Sequence, residues 1–570
     1  MRRLAVLAAL VVLALPVRAQ RGGVTADTPR RPVTRAAALV GARVVVSPGR
    51  VLDRATVLIR DGRIEAVGRD LRVPADADVL AADSFTVYAG FVDALGNAGV
   101  PTPPEVERFT GNRGDPPRDR SGLEPDRDVR ETFDPSDARV AALRALGFGA
   151  AHIAPRGGLL SGQGAVVLLR PPGRDEAARD VVFTGPVSLV ARMQTAEGVY
   201  PSTPMGVAAV FREAFENARR REAQAEGIAR GGQRPRFDAA LDALGPVLAG
   251  DRRLVMLAPT PLDAFRALGL ARDAGVEPIV AGLADAAPVT ERLRAERIAV
   301  FAPLALPDTV ALDSLARTVA LPPSSGVASV QNRRVRSFRD LPAERAALTA
   351  ERRESVRRAE ASPAALAAAG VPFAFATLEA DPAKILPGLR RMVRAGLTPD
   401  DALAALTVAP ARLLGLSNDL GTVERGRLAN LVVVRGDLFA DSAVVRYVFV
   451  EGQRTENPAK PRRASASADS SATGVGTWTM TVSTPSEEQR GAFTITGTPG
   501  AYTGTATVEG ETIPLEAVTL DGDALSFRFT VPDVGLVEIS GTVSGPSFSG
   551  TVSFGTLGSF PATAIRSPDR

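Results

Sequence analysis

The sequence predicts an α/β fold in three parts: a (β/α)8 TIM-like barrel over residues 89–410, a composite β-sandwich built from both flanks of that barrel (36–88 with 411–457), and a small all-β barrel or sandwich over 476–570. Three observations carry this. Short apolar runs alternate with amphipathic stretches through the middle of the chain, the pattern of a parallel sheet wrapped in helices. β-branched runs lie on either side of that region. After a Ser- and Ala-rich stretch, the texture changes to Thr, Val, Ser and Gly with period-two alternation.

From the start of the chain, Arg2 and Arg3 precede an unbroken apolar run over 4–15, and Val17 and Ala19 put small residues just before Gln20. This is the pattern of a secretory signal peptide at 1–19, with an apolar part too short to span a bilayer. Strand-like runs follow at 42–46, 56–59 and 64–67. The last two are joined through Asp61-Gly62, a hairpin turn whose residues tolerate positive φ. Farther along, strands are expected at 150–154, 165–169, 254–257, 278–280, 299–301 and 373–376. Helices are expected at 263–274, at 386–395 and at 205–225, where Val207, Val210, Phe211, Ala214, Phe215 and Ala218 share one face. Over ~300 residues such alternation closes naturally as an eightfold barrel. Residues 101–130, rich in Pro, Gly, Asp and Arg, read as a long irregular loop, and 341–361 as a charged, solvated helix. Strand patterns return at 431–434 and 444–450 with Glu451-Gly452 as the next turn, so the two flanks are expected to share one sheet. Residues 458–475 lack periodicity and read as a linker. Beyond them, alternation in Trp478, Met480 and Val482 and in Leu525, Phe527, Phe529 and Val531, with glycine turns from Gly497 to Gly555, predicts an antiparallel domain.

A chain of 570 residues, 45% apolar and 23% charged, is an ordinary globular composition spread over several domains. Sixty-eight Lys and Arg against 64 Asp and Glu leave +4, and aromatic content is 5%. Basic residues are scattered, apart from 219–221 and 352–353, so the chain lacks the basic stripe with stacking rings that a nucleic-acid surface needs. The absence of Cys excludes disulfides and a lipid-anchored N-terminal cysteine. No stretch after residue 19 is long and apolar enough for a membrane helix. The mature protein is expected to be exported, to the periplasm or outside the cell.

Several motifs point further. Gly90-Phe91-Val92-Asp93-Ala94-Leu95-Gly96-Asn97 has the form of a barrel's entry strand, and Ser161-Gly162-Gln163-Gly164 and Pro204-Met205-Gly206 are two more local signatures. The tail is the most specific: Gly396-Leu397-Thr398-Pro399, then Ala409-Pro410-Ala411-Arg412-Leu413-Leu414-Gly415, Leu420-Gly421-Thr422-Val423 and Ala429-Asn430-Leu431-Val432-Val433. Together these resemble the amidohydrolase superfamily, in its imidazolonepropionase-like and related exported branches, over residues 39–457. The resemblance implies a hydrolase of non-peptide carbon–nitrogen bonds with zinc held at the C-terminal mouth of the barrel. It also implies Asp where this chain has Asn430.

The ligand positions depart from that family. The two histidines that should end the first strand are replaced by Leu95 and Asn97. The fifth-strand histidine falls near Leu257 or Pro259, the sixth at Ala281, and the eighth-strand aspartate at Leu378. The whole chain has one histidine, His152, in a strand-like run where the family has no ligand. A lone histidine there reads first as a hydrogen-bonded core residue. No Gly-x-Ser-x-Gly elbow presents a nucleophile. Asp93 and Glu379 remain as candidate catalytic carboxylates, since a pair can do acid–base work. The expectation is a metal-free pocket lined by Leu95, Asn97, Leu257, Pro259, Ala281 and Leu378. The role is then binding or scaffolding, as a homo-oligomer or beside an active amidohydrolase paralogue. Two alternatives stay open: an active hydrolase with a carboxylate site or one completed by a partner subunit, and a carbohydrate- or surface-binding protein using Trp478, Tyr502 and Phe548 as a stacking platform.

Overall fold

A computed structural model describes residues 36–103, 109–171, 181–227, 236–307, 341–457, 475–483, 488–498, 501–508, 511–521, 524–531, 535–554 and 558–567. The expected signal peptide, all of the linker but Val475, and the turn at Gly555 lie outside these residues. The chain divides into two compact units, up to Pro458 and from Ala459 onward.

In the first unit, strands β1 (Ala36–Ser47), β2 (Arg50–Arg60), β3 (Arg63–Gly68), β4 (Ala77–Ala81) and β5 (Phe85–Ala89) come from before the barrel. Strands β14 (Leu431–Arg435), β15 (Val444–Val450) and β16 (Gln453–Glu456) come from after it. They form one eight-stranded sheet in the order β16-β15-β14-β5-β1-β2-β3, with β4 also on β1. The two flanks join where β14 pairs antiparallel with β5, Leu431 opposite Ala89 and Val433 opposite Val87. The composite domain is therefore a single hydrogen-bonded sheet with its own core of Leu39, Val44, Val57, Ile59, Val87, Val433 and Phe449, among others. Both hairpin turns read from sequence have the left-handed backbone they require: φ is 51° at Asp61 and 75° at Gly62, 48° at Glu451 and 73° at Gly452.

Between the flanks, β6 (Phe91–Gly96), β7 (Phe148–Ile153), β8 (Leu160–Leu168), β9 (Val182–Arg192), β10 (Arg253–Leu257), β11 (Pro278–Ala281), β12 (Val300–Pro303) and β13 (Phe373–Ala376) hydrogen-bond in sequence order. The first and last strands meet through a bridge between Gly96 and Leu378, with Leu378 N donating to Leu95 O at 2.9 Å, which closes the barrel. One strand departs from the all-parallel pattern. β8 is antiparallel to both neighbours, so β7, β8 and β9 form a meander and no helix separates β7 from β8. Elsewhere helices follow strands. Pro204–Gly227 buries Val207, Val210, Phe211, Phe215 and Ala218 as the periodicity predicts. Pro261–Asp273, Pro382–Arg394 and Pro399–Leu406 each start with Pro behind a side chain that accepts from the first turn: Thr260, Asp381 and Thr398. The charged helix runs from Leu341 to Ala368. Among its described residues, the irregular segment 101–130 contains the short α-helix Arg118–Ser121 and the start of a 3-10 helix, Val129–Glu131. Among the described residues, no helix is long and apolar enough to cross a membrane.

The second unit is an antiparallel sheet of nine strands between Gly476 and Arg566, nearly closed into a barrel. Its core holds Trp478, Phe493, Phe527, Phe529, Ile539 and Phe548. This corrects the expectation of a stacking platform. Trp478 is 0% and Phe548 1% exposed, and Tyr502 packs against the same core, because strand alternation turns these rings inward.

Candidate functional site

Alternation along the barrel strands decides which side chains face its interior. Val190 on β9, Val255 on β10, Ile279 and Ala281 on β11, Phe301 on β12, and Ala374 and Ala376 on β13 belong to one inner cluster with Ala94 and Leu95. Leu257 and Leu378 pack against that cluster at the strand ends. Four of the six expected pocket residues are thus brought together: Leu95, Leu257, Ala281 and Leu378. Pro259 lies past the end of β10 and is exposed, whereas Leu257 is the last residue of β10. Asn97 is buried beyond the end of β6; its Nδ2 donates to Glu379 Oε1 at 3.3 Å, and its Oδ1 has no hydrogen-bond partner. Leu378 sits at φ 47°, a left-handed conformation that a leucine adopts at a cost.

Beneath this layer are two buried polar ties. Asp93 is fully buried; its Oδ1 accepts from Leu95 N (3.2 Å) and Thr377 N (2.8 Å), and its Oδ2 from Thr377 Oγ1 at 2.5 Å. Burial pushes its carboxyl up to about 6, against the pull of the Thr377 hydroxyl and the two backbone donors. The two bonds from Thr377, just past the end of β13, hold the first strand to the last, which makes Asp93 the barrel's clasp. Gly96 is required there, since a Cβ would lie 2.3 Å from Asp93 Oδ2. Glu379, the other candidate carboxylate, is exposed.

His152 is also fully buried. Its Nδ1 lies 2.7 Å from Ala94 O and its Nε2 2.7 Å from Ser188 Oγ. A carbonyl can only accept, so Nδ1 carries the proton and Nε2 accepts from the serine hydroxyl. Burial drives its pKa down to about 4, leaving it neutral. Gly164 makes room for the pair: a Cβ there would stand 2.6 Å from both Nε2 and Ser188 Oγ. This is the hydrogen-bonded core histidine expected from sequence.

The sequence reading missed Arg156 and Arg192, which reach the mouth from the β7 and β9 sides. Arg192 ends β9, two residues past inward-facing Val190, and is level with Leu257 in the β9–β10 register; Leu257 is in turn level with Ala281. Arg156 donates from Nη2 to Asn97 O at 3.1 Å. Burial lowers the pKa of Arg192 first, Glu379 opposes that and Arg156 adds to it, so the three charges share one neighbourhood. The signal for Arg192 was alternation along β9, but Gly185-Pro186 interrupts that run and hid the strand.

Residues 261–455 match the amidohydrolase family model. Among solved structures, an amidohydrolase from Thermotoga maritima MSB8 aligns over all of its own chain and 74% of this one, with a TM-score of 0.57 at 21% identity. The barrel with its composite sheet has the same fold as that amidohydrolase. A putative prolidase from Bifidobacterium longum aligns over 96% of its chain and 75% of this one, at 16% identity and a TM-score of 0.41. No curated protein matches by sequence. The superfamily's zinc does not fit the residues present. Leu95, Leu257, Ala281 and Leu378 carry no donor atom in their side chains, and zinc needs about four ligands of N, O or S type. Among the described residues, no group of three or more His, Cys, Asp or Glu could hold an ion.

Proposed function

We propose that this amidohydrolase-fold protein is exported and binds a ligand at its barrel mouth without hydrolysing it. The observation that carries this is the apolar cluster of Leu95, Leu257, Ala281 and Leu378 at the superfamily's ligand positions. Activating water at neutral pH takes a dication or a base placed against the substrate. Here Asp93 is spent on the β6–β13 clasp, and His152 is a neutral core residue with both nitrogens engaged. Export rests on the 1–19 sequence pattern alone. Pairing with another copy or with an active paralogue is compatible with such a role and has only the family resemblance behind it. The test is elemental analysis of full-length protein purified without chelators, followed by assays of amide and dipeptide hydrolysis with and without added zinc. The expected result is far less than one zinc per chain and no zinc-dependent turnover. One tightly held zinc per chain, or hydrolysis lost on chelation, would overturn the reading.

A further inference from the structure

We infer that the barrel mouth binds a small organic carboxylate with an apolar body: the carboxylate on Arg192, with Arg156 beside it, and the body on the leucines that stand where a metal would be bound. The inference deepens the metal-free binding reading and rests on it.

Four observations converge. First, eight arginines besides Arg192 have a buried side-chain nitrogen without a hydrogen bond. Each of those eight places its guanidinium on a partner: Arg144 on Leu169 O, Arg156 on Asn97 O, Arg170 on Glu451, Arg252 on Gln163, Arg390 on Asp441, Arg391 on Glu360, Arg528 on Glu516 and Arg566 on the Trp478 ring. Arg192 alone of these makes no such contact among the described residues, yet its Nε is buried. A partly desolvated guanidinium without a partner is costly unless an acceptor arrives to satisfy it.

Second, Arg192 occupies the right level. It is beside Leu257 in the strand register and one strand farther from Ala281, so its head emerges at the layer of the lost ligand positions. Third, the charges do not cancel. Arg156 and Arg192 share their neighbourhood with the single carboxylate of Glu379, which leaves about one positive charge, a match for a monoanion. Asn97 Oδ1, buried and unpaired at the same mouth, can accept from a neutral N–H or O–H on the ligand. Fourth, half-buried Leu257 and Leu378, packed on the cluster that contains buried Leu95, present apolar surface at the strand ends, which suits an alkyl or aryl group and offers nothing to a fully hydrated ion. A planar carboxylate fits the guanidinium fork with two parallel hydrogen bonds.

The test is calorimetric titration of the full chain with phenylacetate, its neutral analogue phenylacetamide, and inorganic phosphate. Phenylacetate should bind, and the other two should bind at least roughly tenfold more weakly, as loss of a charge-assisted pair predicts. Arg192→Gln should weaken phenylacetate roughly tenfold or more with thermal stability retained, and Arg156→Gln should weaken it by a smaller factor. No phenylacetate binding at millimolar concentration, equal binding of the amide, tighter binding of phosphate, or indifference to Arg192→Gln would each overturn the inference. Should Arg192→Gln fail to fold, indifference to Arg156→Gln would overturn it. Zinc measured on the same preparation separates the two readings. A zinc-bearing protein defeats the metal-free reading, whereas a zinc-free protein that ignores phenylacetate defeats only this inference.

Discussion

The chain contains two barrels, and they are filled differently. The C-terminal barrel closes on aromatic rings: Phe493 lies 4.9 Å from Phe527 and 6.0 Å from Trp478, centroid to centroid, and among its described residues no ionisable residue is buried. The α/β barrel is filled mostly by small and branched residues, with Phe301 the one ring in the inner cluster, and it buries an aspartate and a histidine completely. Phenyl rings fill space without needing hydrogen-bond partners. Polar groups in a dry interior must each be matched, and here Thr377, Ser188 and Ala94 match them. The α/β barrel thus keeps a specifically hydrogen-bonded interior, with Asp93 tied to Thr377 and His152 to Ser188, whereas the interior of the C-terminal sheet is packed from apolar side chains.

The largest effect that sharpens this contrast should come from Trp478→Phe against Trp478→Ala. Trp478 is the chain's one tryptophan and is fully buried in the C-terminal core. Truncation to Ala should cost about 3–5 kcal/mol in that barrel, whereas Phe retains most of the packing. Urea unfolding followed at 222 nm should show the helical unit unmoved by either change. A shift of the helical transition by the same amount would show that the two units do not unfold separately.

Next in size is the clasp. Asp93→Ala leaves Leu95 N and Thr377 N as buried donors without acceptors and should destabilise the α/β unit by about 3 kcal/mol. Asp93→Asn keeps an oxygen for both amides and should cost much less. Chemical denaturation at pH 7 tests the pair. Equal losses would mean that Asp93 acts through charge rather than through hydrogen bonds.

The smallest effect is a pH dependence that the wild type hides. Asp93 has its folded pKa raised to about 6, so the native state holds that proton more tightly than the unfolded chain. Its contribution is therefore fullest below an unfolded value of about 4 and is lost as pH rises through 6. His152 has its folded pKa lowered to about 4, so its contribution is present above an unfolded value of about 6.5 and is lost as pH falls toward 4. Between pH 4 and 6 the two slopes have opposite signs and largely cancel. Asp93→Asn should expose the histidine slope, with stability falling on acidification by at most about 3 kcal/mol, and His152→Gln should expose the reverse. Identical pH profiles for wild type and both variants would remove the cancellation.

Much of this was legible in sequence, for a physical reason. Strand runs such as 254–257, 278–280 and 373–376 are short, apolar and bounded by turns, and they lie within strands at those places. The helix Pro204–Gly227 followed from its apolar stripe. The convergence of Leu95, Leu257, Ala281 and Leu378 was legible only through a resemblance, since an apolar residue in a strand run marks burial and not which others it will meet. Strand β9 was not legible because Gly185-Pro186 breaks its pattern, and Arg192 was lost with it. The reversal of β8 was hidden as well. An apolar run fixes burial but not direction, and Pro155 and Gly157-Gly158 between β7 and β8 mark a turn without telling a hairpin from a crossover.

That reversed strand has a consequence for the order in which the barrel can assemble. The β7–β8–β9 meander is made of near neighbours along the chain, so its ladders close short loops at small entropic cost. The seam between β6 and β13 joins residues 284 positions apart, Asp93 and Thr377, and is held by an isolated bridge and the clasp rather than by a full ladder. Chain entropy therefore favours a wall that grows outward from the meander, with the seam as the last gap to shut and the first to reopen.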